Sequence, residues 1–251
     1  MQVGLIGAGN MARGLARGWG EPVLCSDNGS GRARALVDEL GGEALSNLEV
    51  ARRADVVVLC HKPGQLDGVA SELRGEVKAV ISILGARSTE DLERAYPDTP
   101  VMRMMPNTPV EVRRGVTCYA RTPAVEPQLE AEVVALFERL GAVIPLDEGL
   151  IETATAVSGV GPAYQALLAE AQVDAAVRHG LAAPLAGRLV TETMAGTAAL
   201  LARRDCDTLA VRREVASPGG STARGLAALE GGGVRSAFQD AIDAVMSWSA
   251  R

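Results

Sequence analysis

The first half of the chain alternates short apolar runs with segments of helical periodicity. The apolar runs predict β-strands over Val3–Ile6, Pro22–Ser26, Asp55–Cys60, Val77–Leu84 and Val101–Met105. Helical periodicity predicts helices after the first two strands, over Asn10–Trp19 and Arg32–Leu40. Strands that are apolar throughout are typical of parallel sheets covered on both faces. Repeated strand–helix units therefore predict an α/β fold built on a doubly wound parallel sheet.

The pattern changes near Gly149, and no convincing strand follows it. Helices are predicted over Ala163–His179, from Pro184 to about Arg203, and over Thr222–Leu229 and Val234–Ser249. We therefore expect two domains, an α/β domain over residues 1–149 and an all-α domain over residues 150–251. The predicted helices are rich in alanine, so they would form only a thin core alone. Small side chains allow close approach of a second copy, which predicts a dimerisation domain.

Composition excludes several classes of protein. With 251 residues, 47% hydrophobic and 22% charged, the chain has the make-up of a globular protein and not of a disordered one. The net charge of −6 gives no basic footprint for nucleic acid. No apolar stretch is long enough for a membrane helix, and no basic leader precedes the first strand. The cysteines are scattered without a CxxC pair, so we expect no metal site and a cytoplasmic protein with reduced thiols.

The strongest local motif follows the first predicted strand and opens the first helix. It is a G-x-G-x-x-A pattern made of Gly7, Ala8, Gly9, Asn10, Met11 and Ala12. The first glycine permits a tight turn, the second lets a pyrophosphate approach the backbone, and the small third residue lets helix and strand pack closely. The free N–H groups of the helix N-terminus favour phosphate. The motif predicts a Rossmann-type dinucleotide-binding site.

The residues after the second strand bear on the choice of cofactor. Asp27 lies twenty residues after Gly7, where an acid hydrogen-bonds the adenosine ribose and favours NADH. Asn28 follows it in the same loop. Arg32 and Arg34 are candidates for a 2′-phosphate, which would favour NADPH. Solvated charges in the first turn of a helix are an equally good explanation of the two arginines, so the choice between NADH and NADPH stays open.

Other polar residues come directly after predicted strands, where ligands lie in open α/β sheets. Lys62 and Pro63 follow the strand that ends at Cys60, and Asn107 follows a later strand. We expect all three to lie beside the cofactor. His61, in the same loop as Lys62, has no identifiable catalytic partner and is most simply a partly exposed loop residue.

Two glycine-rich segments open helices in the second half. One runs from Ser158 through Gly159, Val160 and Gly161 to Tyr164. The other is Ser217-Pro218-Gly219-Gly220-Ser221-Thr222. Two glycines followed by two hydroxyl residues at a helix N-terminus form an anion-binding turn, beyond what a helix cap requires. The second segment predicts a site for a substrate carboxylate.

Taken together, these motifs resemble the pyrroline-5-carboxylate reductase family over nearly the whole chain. The resemblance is carried by IGAGNMA, the strand-end KP, MMPNTP, SGVGPAY and EVASPGGSTARGLAALE, in the family's order. It implies hydride transfer from NADPH or NADH to the cyclic imine 1-pyrroline-5-carboxylate, giving L-proline. It also implies a Rossmann domain, an all-α domain that interlocks with a second subunit, and further assembly, often into decamers. The family's active site lies between one nucleotide domain and helices that include the partner's.

The resemblance also implies roles for individual residues. Gly7, Gly9, Asn10, Met11 and Ala12 match the phosphate-binding turn. Asn47 matches an asparagine that contacts the adenosine ribose, and Lys62 and Pro63 match the loop beside the cofactor. The residues that match the substrate carboxylate loop are Val215, Ser217, Gly219, Gly220 and Ser221. Thr222 matches the threonine whose hydroxyl faces the imine nitrogen, and it is the candidate catalytic residue.

The chain departs from the family pattern in places that concern cofactor and substrate. Cys60-His61 stands where Ala-Val is usual, and Val160 replaces a serine. Two alternatives therefore stay open, a reductase of a related cyclic imine acid and a dinucleotide sensor without catalysis. A 3-hydroxyacid dehydrogenase shares the architecture, but no lysine follows Gly161 within one helical turn.

Overall fold

The computed structural model describes residues 1–122 and 124–249, and its first part is built on one eight-stranded sheet. The strand order is β3-β2-β1-β4-β5-β6-β7-β8. The strands are β1 (Val3–Ile6), β2 (Val23–Ser26), β3 (Gly42–Ala44), β4 (Val56–Leu59), β5 (Val80–Ser82), β6 (Val101–Pro106), β7 (Gly115–Ala120) and β8 (Gly141–Leu146). The first six strands are parallel, which confirms the predicted doubly wound parallel sheet.

The two last strands run opposite to the others. Strand β7 pairs antiparallel with β6, and β8 pairs parallel with β7. Only residues 107–114 connect β6 to β7, and a parallel crossover needs about a dozen residues or more. The short connection, which includes a 3₁₀-helix at Thr108–Val112, therefore turns the chain back on itself. A full helix connects β7 to β8, so that pair is parallel again.

Helices cover both faces of the sheet. They are α1 (Asn10–Trp19), α2 (Arg32–Leu40), α3 (Asn47–Arg53), α4 (Leu66–Leu73), α5 (Thr89–Ala95) and α6 (Pro127–Glu138). Buried residues of α1, α2 and α6 share one apolar cluster, and those of α3, α4 and α5 share another. Serine capping boxes begin α3 and α5, and the left-handed Gly20 ends α1.

A buried ion-pair network holds the segment that follows β8 against the sheet. Arg103 on β6 is 2% exposed, and its guanidinium lies 2.7 Å from a carboxylate oxygen of Glu148 and also bonds Glu152. Glu148 further accepts hydrogen bonds from the backbone and hydroxyl of Thr89. Burial opposes ionisation of Glu148, but these hydrogen bonds and the charge of Arg103 outweigh it and lower its pKa. The network fixes the start of α7 (Ile151–Ala154) and of the π-helix that follows it, Thr155–Gly159.

The remainder of the described chain is helical, which confirms the predicted all-α second part. The helices are α8 (Gly161–Arg178), α9 (Ala183–Ala202), α10 (Thr208–Val215), α11 (Ser221–Gly231) and α12 (Val234–Ser249). Within the described residues, α8 and α11 contain no buried side chain. Large apolar side chains are exposed instead, among them Leu167, Leu181, Leu185, Leu189 and Leu229.

Internal contacts divide the chain into two compact units, Met1–Pro162 and Ala163–Arg251. None of the described helices is long and apolar enough to span a bilayer.

Candidate active site

A glycine turn joins β1 to α1 at the carboxyl end of the sheet. Gly7 has φ of +107°, and a Cβ at this position would lie 2.8 Å from the carbonyl carbon of Cys60. Any side chain is therefore excluded by backbone strain and by the close approach of the chain after β4. The first hydrogen bond of α1 runs from the Arg13 N–H to the Gly9 carbonyl. The N–H groups before Arg13 lack helical partners and are suited to an anion.

A cleft of about 300 Å³ opens over this turn in the first unit. This is the lower end of the volume range of small-molecule sites, roughly 300–1,000 Å³. The predicted cofactor residues that line it are Gly7, Ala8, Gly9, Asp27, Asn28 and Lys62. Its other walls are Ser30, Arg32, Cys60, His61 and Gln65. Three loops, after β1, β2 and β4, thus meet at one site.

The remaining residues of the glycine motif lie beside or beneath this cleft. Asn10 and Met11 line a neighbouring cleft together with Arg13 and Thr108. Ala12 is fully buried in the core beneath α1, where a small side chain lets the helix approach the sheet. The motif therefore combines residues that line open clefts with a residue that permits close packing.

Asp27 uses its carboxylate to build its own loop. One oxygen accepts the Gly29 N–H at 2.9 Å, and the other accepts the Ser30 hydroxyl at 2.9 Å and the Ala33 N–H at 3.0 Å. The Ala33 hydrogen bond is the largest cause of the lowered pKa of Asp27, which burial opposes. Asp27 is therefore an anionic residue of the cleft whose two oxygens are both already bonded.

The two arginines of this region differ in their contacts. Arg34 forms an ion pair with Asp38 at 3.0 Å, one helical turn along α2. Arg32 lines the cleft and has no ion pair among the described residues. The structure therefore separates two side chains that the sequence analysis could not distinguish. The spacing of Arg34 and Asp38 by four residues is the sequence signal that would have paired them.

Ser30 and Gln65 also line the cleft, although neither is predicted from the sequence. Ser30 bonds Asp27 three residues before it, a spacing typical of a loop organised by aspartate. Gln65 accepts the Lys62 N–H at 3.2 Å and shapes the turn after β4. No signal in the sequence marked Gln65, because its position depends on the fold of that turn.

Asn47, Pro63 and Asn107 are not among the residues that line this cleft. Asn47 accepts the Ser26 hydroxyl at 2.7 Å and donates to Glu72 at 2.8 Å. The Pro63 carbonyl accepts the Arg87 Nε–H at 3.1 Å. All three stay predictions as cofactor contacts.

Asn107 connects β7 to the π-helix. It is 7% exposed, donates to the Ser158 carbonyl at 3.0 Å and accepts the Val116 N–H at 2.8 Å. Both ends of its amide are thus engaged by backbone. In this structure Asn107 positions the glycine-rich segment that begins at Ser158.

The second unit contains the predicted carboxylate turn. The Gly220 N–H donates to the Ser217 carbonyl at 3.0 Å, and Gly219 has φ of +70°. Helix α11 follows without a side-chain cap, and its first helical bond is from Arg224 N–H to the Gly220 carbonyl. The N–H groups of Ser221, Thr222 and Ala223 therefore precede the helical ladder.

Side chains at the same turn differ in exposure. Val215 is 61% exposed at the end of α10, and Ser217 is exposed. Thr222 is half-buried, and no hydrogen bond of its hydroxyl is present within the described chain. The turn therefore offers free backbone donors and a free hydroxyl, the groups that a carboxylate with a neighbouring polar atom requires.

The cleft of the first unit fits the phosphate and adenosine part of a dinucleotide. Gly7 leaves the backbone open at the turn, and the start of α1 supplies N–H donors. Lys62 and Arg32 supply positive charge at its walls. The residues present therefore agree with the cofactor that the glycine motif predicts.

Known proteins are similar to this chain over nearly its whole length. The family model described as pyrroline-5-carboxylate reductase dimerisation matches residues 148–251, and the model described as NADP oxidoreductase coenzyme F420-dependent matches residues 2–85. Pyrroline-5-carboxylate reductase of Synechocystis sp. is 37% identical over 97% of this chain and 95% of its own length. The Mycobacterium tuberculosis enzyme is 33% identical over 99% of this chain and 95% of its own.

Solved structures extend the similarity to the fold. Plasmodium falciparum pyrroline carboxylate reductase with NADP bound has a TM-score of 0.90 at 28% identity, covering 99% of this chain and 97% of that one. The Streptococcus pyogenes enzyme has a TM-score of 0.91 at 27% identity, covering 99% and 98%. The glycine turn, the helical second part and similarity over the full length lead to one conclusion: the chain belongs to the pyrroline-5-carboxylate reductase family.

Proposed function

We propose that the protein is an NAD(P)H-dependent pyrroline-5-carboxylate reductase, which reduces the C=N bond of 1-pyrroline-5-carboxylate to give L-proline. The observation that carries the proposal is similarity to curated reductases of that name over 97% of the chain at 37% identity. The dinucleotide cleft around Gly7 and the free N–H groups at Ser221–Ala223 supply the two kinds of binding site that this reaction requires.

A bound NAD(P)H supplies the hydride, and the chain supplies binding and orientation. The Gly7 turn and the start of α1 hold the pyrophosphate, and the N-terminus of α11 holds the substrate carboxylate. Fixing the carboxylate fixes the face of the ring that is presented for reduction. Orientation of two bound reactants is worth about 7–11 kcal/mol of the barrier, which makes it the main contribution of the chain.

Thr222 acts at the imine nitrogen. The reduced nitrogen must end protonated, yet the segment Ser217–Thr222 contains no titratable side chain. We therefore propose that the substrate binds as an iminium ion and that the Thr222 hydroxyl hydrogen-bonds the nitrogen. The Thr222 hydroxyl has no hydrogen bond within the described chain, which supports this role.

Turnover with 1-pyrroline-5-carboxylate tests the proposed function. Oxidation of NADPH and NADH is followed at 340 nm in parallel, with proline identified as the product. We expect turnover with at least one cofactor. Tight dinucleotide binding without turnover on this imine would contradict the proposal. Turnover on a six-membered cyclic imine acid would then favour the related reductase, and no turnover on either would favour a sensor.

Thr222→Ala should lower kcat about 10–100-fold, because the hydrogen bond between its hydroxyl and the substrate nitrogen is lost in the transition state. Thr222→Ser keeps the hydroxyl and should retain most of the activity. Thr208→Ala removes a threonine from the start of another helix, α10, and serves as the matched control. Steady-state kinetics measure all three. An unchanged kcat for Thr222→Ala would remove Thr222 from the mechanism.

We propose further that NADPH is the preferred cofactor and that Arg32, with Ser30, binds its 2′-phosphate. Asp27 already uses both carboxylate oxygens within its own loop, whereas Arg32 lines the cleft without an ion pair among the described residues. A free guanidinium favours a phosphate over a hydroxyl, and the anionic carboxylate of Asp27 is already engaged by hydrogen bonds of its own loop. The NADP bound to the Plasmodium falciparum relative supports the same preference.

Arg32→Ala should raise the KM for NADPH about tenfold or more and leave the KM for NADH nearly unchanged, because one charge-assisted bond to phosphate is worth about 1.5–3 kcal/mol. Arg34→Ala is the comparison, since Arg34 is paired with Asp38. Kinetics with both cofactors measure the ratio. Equal losses in the two variants, or a loss with NADH alone, would contradict the assignment of Arg32.

We propose that the second unit forms a homodimer with another copy of the chain. Its helices α8 and α11 bury no side chain within the described chain, and exposed leucines are spread along α8, α9 and α11. Apolar surface of this kind is typical of an interface. Higher assembly into a decamer stays a prediction. A cytoplasmic location also stays a prediction, and it agrees with four cysteines that are free thiols.

Light scattering should give a mass of at least twice the chain mass of 26.0 kDa at micromolar concentration. Leu189→Glu, which places a charge on an exposed face of α9, should shift the protein towards monomer. Val112→Glu is the control, because Val112 is an exposed apolar residue of the first unit, 70% exposed against 50% for Leu189. A monomeric wild-type protein would contradict the proposed dimer.

A further inference from the structure

His61 is a half-buried wall of the dinucleotide cleft whose ring is fixed at one edge. Its Nδ1 lies 2.9 Å from the Lys62 carbonyl, and it shares the cleft with Gly7 and Asp27. A carbonyl only accepts hydrogen bonds, so Nδ1 carries the proton and donates it. The neutral ring then has a lone pair, and no proton, at Nε2.

The other nitrogen of the ring is inaccessible to solvent. The Nε2 atom is buried, and no hydrogen-bond partner reaches it within the described chain. Burial lowers the pKa of His61, and the hydrogen bond to the Lys62 carbonyl opposes that effect only in part. The ring is therefore neutral at pH 7 and above, with Nδ1 bonded to the backbone and Nε2 buried. The part of the ring that remains for contact with a ligand is its uncharged carbon surface.

Charged residues also line the cleft. Asp27 and Arg32 face the cleft from the loop after β2, and Lys62 faces it from the loop that holds His61. In Rossmann-type folds the pyrophosphate lies at the glycine turn and the adenosine lies near the end of the second strand. The adenosine half of a dinucleotide therefore lies between the glycine turn and the loop that begins at Asp27. A flat uncharged ring beside it is suited to the face of a purine base.

We propose that His61 stacks on the adenine of the cofactor and contributes through its ring face, with its nitrogens serving only to orient the ring. This inference rests on dinucleotide binding under the proposed function. Stacking of a base on an aromatic side chain is worth about 1–3 kcal/mol, so its loss weakens binding roughly 5–100-fold. His61 is a specificity residue for the adenine half and takes no part in proton transfer.

Two variants separate the ring from its nitrogens. His61→Phe keeps an aromatic face and loses both nitrogens, whereas His61→Asn keeps an N–H that can donate to the Lys62 carbonyl and loses the ring. Calorimetry at pH 8 measures Kd for two halves of the cofactor, adenosine 2′,5′-bisphosphate and nicotinamide mononucleotide, and for NADP⁺. His179→Asn, at the exposed second histidine of the chain, is the control.

We expect His61→Asn to bind the adenosine bisphosphate about 5–100-fold more weakly than the wild type, and His61→Phe to bind it within about threefold. Nicotinamide mononucleotide should bind all variants equally. Full affinity in His61→Asn would overturn the proposal. So would a loss in His61→Phe equal to that in His61→Asn, provided that circular dichroism shows both folded. If the wild type binds neither NADP⁺ nor NAD⁺, the proposed function itself fails, whereas binding without a difference among the variants rejects only the role of His61.

Discussion

The parallel pairing of β1 with β4 is the contact on which the rest of the first unit depends. The two strands pair in register from Val3 opposite Val56 to Ile6 opposite Leu59, and all of these residues are buried. Strands β2 and β3 lie on one side of this pair, and β5 lies on the other side. The loops after β1 and β4 therefore leave the sheet in opposite directions and open a crevice between them. Gly7 is required because the segments after β1 and β4 come so close there that a Cβ would collide with Cys60.

The specificity of that crevice depends on which of its polar groups have no hydrogen-bond partner within the protein. Both carboxylate oxygens of Asp27 accept hydrogen bonds from its own loop. In His61, Nδ1 is bonded to the Lys62 carbonyl and Nε2 is buried. Arg32 and the first N–H groups of α1 remain free. A site rich in hydrogen-bonding residues thus presents a cation, a set of backbone donors and one flat ring. These available groups favour binding of a phosphorylated purine cofactor. The residue types of the cleft alone would indicate this less specifically.

The two units bury their apolar side chains to different extents. The first places apolar clusters on both faces of its sheet, closed at one side by the edge-to-face contact of Trp19 with Phe137. The second consists of long helices whose small side chains bury little, although Tyr164 and Phe238 form one aromatic contact 6.2 Å apart. The proposed dimer would bury apolar surface of the second unit against another copy of the chain. It would then contribute to the stability of the fold.

The sequence by itself determined the elements whose signal is local. The bounds of β1, α1, α2 and α12 agree with the structure residue for residue, because each has a periodic pattern closed by a glycine, a loop or the end of the pattern. It also located the glycine turn and the carboxylate turn, since both depend on residue types in close succession. Asp27 and Lys62 were placed in the cleft because strand ends converge in any parallel sheet.

Only the tertiary structure decided the features that depend on pairing between distant segments. The edge strand β3 is short and exposed, and β8, although its sequence is apolar throughout, is only half-buried or exposed at every position, so neither has the burial of a central strand. The reversal at β7 follows from the length of its connection to β6. Which arginine stays free, and which way the ring of His61 turns, was settled by neighbours that the chain brings together on folding. Helical and strand periodicity depends on residues that are close in sequence. The hydrogen bonds and ion pairs of a side chain depend on residues that are brought together only in the tertiary structure.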